Sequence, residues 1–117
     1  MKSLLLGLAI AMSAVLPAAA ENWINISYED SPVIIDADSI LTDYNGSYSF
    51  WLMHKDGQVI RQANAVINCQ ERTIVLLAKK SFNLNGELVE SSPYRNPRPT
   101  NIKLDSNGAT YYRYLCN

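Results

Sequence analysis

Three dipeptides, Asn45-Gly46, Asp56-Gly57 and Asn85-Gly86, each sit between runs of β-branched and aromatic residues. Such pairs accept positive φ at little cost and close tight hairpins, so apolar runs on either side of them fold back as antiparallel neighbours. This spacing constrains the chain more than any other feature. Trp23 to Tyr28 alternates, with Ile24, Ile26 and Tyr28 on one face. Val33 to Asp36 is short and β-branched. Ile40–Tyr44 and Ser47–Met53 flank Asn45-Gly46 as a hairpin. Val59–Cys69 and Thr73–Phe82 flank a Gln70-Glu71-Arg72 turn, and Glu87–Glu90 can pair back across Asn85-Gly86. Ser92 to Pro99 holds three prolines in eight residues, cannot lie in a central strand, and reads as an exposed, semi-rigid loop.

The last segment, Leu104 to Asn117, admits two readings. Ser106 can N-cap a helix in which Ala109, Tyr112 and Cys116 share a face, whereas simple alternation would make it a strand; the helix is favoured. The fold class expected is α+β, mainly antiparallel sheet with a C-terminal helix.

The first twenty residues read as a secretory signal. Lys2 supplies the positive start, Leu4–Leu16 is an uncharged apolar run, and Ala18-Ala19-Ala20 after Pro17 offers small residues for cleavage. Residues 21–117 then form one domain of 97 residues, with no membrane anchor of its own. Without Lys2 there are nine basic and eleven acidic side chains, a formal charge of −2. That balance argues against bulk binding to nucleic acid or anionic lipid. The charge is nevertheless asymmetric along the chain: residues 21–58 hold Lys55 alone against seven carboxylates, while Lys79, Lys80, Arg95, Arg98, Lys103 and Arg113 fall in the C-terminal half.

Export makes oxidation possible, and the chain has two cysteines, Cys69 and Cys116. Their separation fits no short-spaced zinc pattern, and pairing is the economical reading. Closing such a loop stabilises a fold by about 4 kcal/mol on the chain-entropy model.

Catalytic and metal signals are sparse. His54 is the single histidine, placed just before Lys55-Asp56-Gly57 with no evident group to orient it. Asp36 and Asp38 lack the further oxygen ligands of a calcium loop. The simpler reading is that Asp36, Asp38 and Ser39 satisfy turn backbone groups. No cofactor, metal or enzymatic activity is expected. The residues best suited to a partner are Tyr94, Arg95 and Arg98 in the proline-rich loop, together with Lys103, because Tyr and Arg favour protein interfaces.

The order of these features resembles the bacterial surface-adhesin protein E family. The resemblance rests on IIDADSI at residues 34–40, FWLM at 50–53, AVINC at 65–69 and IKLDSNGATYYRYLC at 102–116, and it covers roughly residues 23–116. It implies an antiparallel sheet with a terminal helix, clipped by a Cys69–Cys116 bridge. It also implies an exported, non-enzymatic protein that contacts host matrix or plasma proteins, such as vitronectin, laminin and plasminogen, or envelope proteins, and that can dimerise. This chain departs from the name-giving member in lacking its lysine-rich cluster before the last segment, with only Arg95, Arg98 and Lys103 in the corresponding region. A different task suits the same scaffold: a periplasmic inhibitor or immunity-type protein whose proline-rich loop plugs a hydrolase such as lysozyme, or a toxin.

Overall fold

The computed structural model describes residues 21–27, 30–43 and 45–117. Residues 1–20, read above as a signal, and Tyr28, Glu29 and Tyr44 lie outside them. Among the described residues eight strands form a single antiparallel sheet: β1 (Trp23–Asn25), β2 (Ile34–Asp36), β3 (Leu41–Thr42), β4 (Ser47–Asp56), β5 (Val59–Asn68), β6 (Thr73–Asn83), β7 (Leu88–Pro93) and β8 (Thr100–Asn101). One helix, α1 (Asn107–Cys116), follows. The sheet order is β1-β2-β4-β5-β6-β7, with β3 also on β4 and β8 also on β6. The expected architecture is therefore the observed one, with the disulfide Cys69–Cys116 in place at a Cα–Cα distance of 5.6 Å.

The hairpins follow their turn chemistry. Asp56 pairs with Val59 across Gly57-Gln58, and Gly57 takes φ +62°, which a side chain there would strain. Two turns are built by a side chain acting as a backbone surrogate. Asp43 Oδ1 accepts from the N–H groups of Asn45 and Ser47, and Asn83 Oδ1 accepts from those of Asn85 and Glu87. The β5–β6 turn needs a left-handed residue and uses Arg72, at φ +56°. Strand β1 stops sooner than the alternation suggests, because Asn25 Oδ1 accepts from Ser27 N and Val33 N and turns the chain back.

Alternation then sorts the faces. Tyr48, Phe50 and Leu52 of β4 lie opposite Ile67, Ala65 and Ala63 of β5, and the core adds Val33 and Ile35, with Ile74 and Leu76 packed against it. Strand β6 carries a bulge where its register against Asn64 and Ala65 shifts, so Leu76 and Lys79 fall on the same face with Leu77 and Ala78 between them.

Helix α1 covers this face. Ser106 caps it as expected, its Oγ accepting from Ala109 N at 3.3 Å. The buried row is Ala109, Tyr111 and Leu115, however, and not the expected Ala109, Tyr112 and Cys116, which are buried, half-buried and half-buried respectively. Cys116 is tied to Cys69 at the end of β5, and this turns the Tyr111–Leu115 row inward. The small Ala65 opposite Phe50 leaves room for the Tyr111 ring, whose centroid lies 5.1 Å from that of Phe50. Tyr111 donates its hydroxyl to Ile34 O at 2.7 Å, and Tyr112 donates to Cys69 O at 3.1 Å.

Burial holds the Tyr111 hydroxyl well above its ordinary pKa, more than the hydrogen bond to Ile34 lowers it. A raised folded pKa means the contribution to stability is complete below the unfolded value of about 10 and is lost as pH rises through the folded one. Chemical denaturation as a function of pH should accordingly show a plateau below pH ~10 and a decline above it. Tyr111→Phe should flatten part of that decline while costing about 1–2 kcal/mol at neutral pH, because Ile34 O loses its donor. The Cys69→Ser, Cys116→Ser double variant should lose about 4 kcal/mol, measured by urea unfolding.

Candidate functional site

The proline-rich segment leaves the sheet after Pro93 and rejoins it at Thr100. Pro93 pairs with Ala78 at the end of β7, and Thr100 pairs with Ile74 in β8. Between them β6 has no strand partner on that edge, and residues 94–99 arch across the gap. Both feet of the arch are fixed: Tyr94 N donates to Leu77 O at 3.0 Å, and Thr100 Oγ1 donates to Ile74 O at 3.4 Å. Asn96 turns the chain with φ +48°. Proline can stand at Pro93 because β7 is an edge strand, and with the bulge near Phe82 and the Glu90 side chain it blunts that edge against further strand pairing.

Beneath the arch lies an open groove of about 680 Å³. Its floor is apolar, from Ile74, Leu76 and Ile102. Tyr94, Arg95, Arg98 and Lys103 all line it, so the four residues singled out from the sequence come together in space. Lys103 reaches the groove through the turn before α1, where Ile102 N donates to Arg72 O, and Ser106 bonds back to Lys103 O through both its N–H and its hydroxyl. The groove is thus assembled from β6, the arch and the entry to the helix.

Its charge is available. Among the described residues, ion pairs join Arg61 to Asp56 at 3.5 Å and Lys79 to Glu90 at 3.8 Å; Arg95, Arg98 and Lys103 take part in none. Lys79 Nζ, paired with Glu90, lies 5.4 Å from the Tyr94 ring centroid. Lys79 belongs to the basic half of the sequence, and the β6 bulge puts it beside Tyr94, a placement that has no local signature. The acidic half gathers on the far side of the sheet, where Glu21, Asp30, Asp38 and Asp43 are exposed around β1–β3.

Asp36 is committed to the fold. Its Oδ1 accepts from Asn22 N at 2.9 Å and from Asp38 N at 3.0 Å, opening a single 3₁₀ turn, Ala37–Ser39. Ser39 Oγ donates to Asp36 O and accepts from Trp51 N, fastening that turn to β4. Asp38 is exposed and contributes its backbone N–H. His54 is also exposed, opposite Arg61 and two residues short of the end of β4, which runs on to Asp56. No three His, Cys, Asp or Glu side chains cluster among the described residues, and no described helix is long and apolar enough to cross a membrane.

Comparison with protein-family models, with curated proteins and with solved structures returns no match to this chain.

Because Tyr94, Arg95, Arg98 and Lys103 are all exposed and outside the core, replacing any one of them by Ala should shift unfolding free energy by no more than about 0.5 kcal/mol. Thermal melts of the four variants measure this, and a large loss at Arg95 or Arg98 would mean that the guanidinium supports the arch.

Proposed function

We propose that this chain is an exported, non-enzymatic protein-binding module of adhesin-like kind, which contacts host matrix or plasma proteins, or envelope proteins, through the arch and groove. The observation that carries this reading is the convergence of Tyr94, Arg95, Arg98 and Lys103 on one groove, with their cations in no ion pair among the described residues. An apolar floor flanked by Tyr and Arg has the composition of interface hot spots, where a few anchors supply most of the affinity. Guanidinium groups add planar, two-pronged recognition of carboxylates. Pinning the arch at both ends limits the entropy lost on binding. A disulfide in the domain agrees with an oxidising destination, and the resemblance to the surface-adhesin protein E family points the same way.

The same pinned arch also favours the inhibitor or immunity-type reading, since a stiff protruding loop can enter a hydrolase cleft. Two assays separate the readings. Surface plasmon resonance of the oxidised 21–117 protein over immobilised matrix proteins should give saturable binding that weakens as salt rises. Arg95→Ala with Arg98→Ala should reduce that binding at least tenfold, corresponding to about 1.4 kcal/mol. Unchanged binding in the double variant would exclude the groove. Absence of matrix binding together with loss of lysozyme activity on adding the protein would replace the adhesin reading by inhibition.

A further inference from the structure

The sheet face opposite α1 carries a second concavity, remote from the groove and independent of the reading just given. Register places Met53, Gln62 and Lys80 in one cross-strand row of that face, and Ile60 and Phe82 in the next. Trp23 of β1 forms one wall and Phe82 the other of an open cleft of about 460 Å³, within the range of small-ligand sites. The Trp23 indole N–H donates to Glu21 Oε1 at 3.3 Å, which orients the ring.

Gln62 lines this cleft and is 8% exposed. Its carboxamide makes no hydrogen bond to any described side chain or to the turns around it. A primary amide withdrawn from water without a partner destabilises the fold, and native proteins rarely keep one. An apolar side chain would fill a mid-strand position of this kind at lower cost. Gln62 therefore marks a place where a ligand supplies what the protein does not.

The missing partner must present a donor and an acceptor together, since a carboxamide offers both. A secondary amide does so. Around it Met53, Ile60 and the Trp23 ring supply apolar and aromatic surface, with Lys80 and Glu21 as charged groups at its sides. An extended peptide would meet the amide requirement but not the rest: the β4, β5 and β6 ladders beneath are already paired, so its remaining backbone groups would find no partners there. A sugar bearing an acetamido group satisfies both demands, with one amide, a methyl group, an apolar ring face that stacks on an indole, and hydroxyls that stay at the wet rim near Lys80.

We propose that this cleft binds an N-acetylhexosamine unit of a glycan, with the acetamido group paired to Gln62 and the pyranose ring against Trp23.

Nuclear magnetic resonance of the ¹⁵N-labelled, oxidised 21–117 protein tests this. The probes are the methyl glycosides of N-acetylglucosamine and N-acetylgalactosamine, with methyl glucoside and N-acetyl-leucine N-methylamide as comparisons. The expected result is a saturable shift of the Gln62 carboxamide and Trp23 indole signals with at least one acetamido sugar, at least tenfold stronger than with methyl glucoside. Gln62→Leu should raise the Tm and abolish that response, and Trp23→Ala should abolish it independently. A fall in Tm for Gln62→Leu would show the amide to be satisfied within the fold and would overturn the inference. So would no shift with either acetamido sugar, or an equal response to methyl glucoside. An equal response to the leucine amide would assign the cleft to peptide and overturn it as well.

Discussion

The docking of α1 on the sheet is the constraint on which the rest of the molecule depends. A sheet whose three central strands run ten or eleven residues must bury at least one face, and α1 is the helix that covers it among the described residues. Three attachments hold it: the Tyr111 ring against Phe50 with its hydroxyl on Ile34 O, the Tyr112 hydroxyl on Cys69 O, and the Cys69–Cys116 bridge. They reach β2, β4 and the end of β5, so the helix ties the early strands to the long hairpin. A ten-residue helix is too short to persist in water unaided. Its register therefore comes from these contacts rather than from helix propensity.

Position of the helix passes directly to the groove. Ile102 packs against the core and lines the groove floor, and the two Ser106 bonds to Lys103 O fix the turn between that floor and the helix cap. The arch is held separately by β6. One wall of the groove thus belongs to the helix and the other to the sheet, and covalent closure at Cys116 steadies the whole. The charge arrangement follows the strand order: Glu21, Asp30, Asp38 and Asp43 lie around β1–β3, while Lys79, Lys80, Arg95, Arg98 and Lys103 gather at the β6–β8 side. The asymmetry along the chain therefore survives folding as an asymmetry across the sheet.

Much of this was legible because it is local. Asn-Gly and Asp-Gly pairs, and the Asp and Asn residues beside them, fixed three turns through groups a few residues apart, and Asp36 and Ser39 announced turn chemistry in the same way. Clustering of Arg95 and Arg98 with Tyr94 was also local, since one loop carries all three. What could not be read depends on long-range register. Tyr111 and Tyr112 are adjacent, and nothing in the helix itself decides which faces Phe50; the bridge at Cys116 does. The bulge in β6 moves Lys79 onto the Tyr94 side and has no signature such as a glycine. Gln62 looks like one more polar residue on an alternating strand until Met53 and Lys80 are placed on either side of it.

The central claim is that α1 and the helix-side wall of the groove, residues 100–103, form one mechanically coupled unit. Amide hydrogen exchange before and after selective reduction of Cys69–Cys116 tests it most directly. The account predicts that reduction accelerates exchange in residues 107–116 and in residues 100–103 together, while the centres of β4, β5 and β6 keep their protection. Faster exchange confined to the helix, with residues 100–103 unchanged, would contradict it.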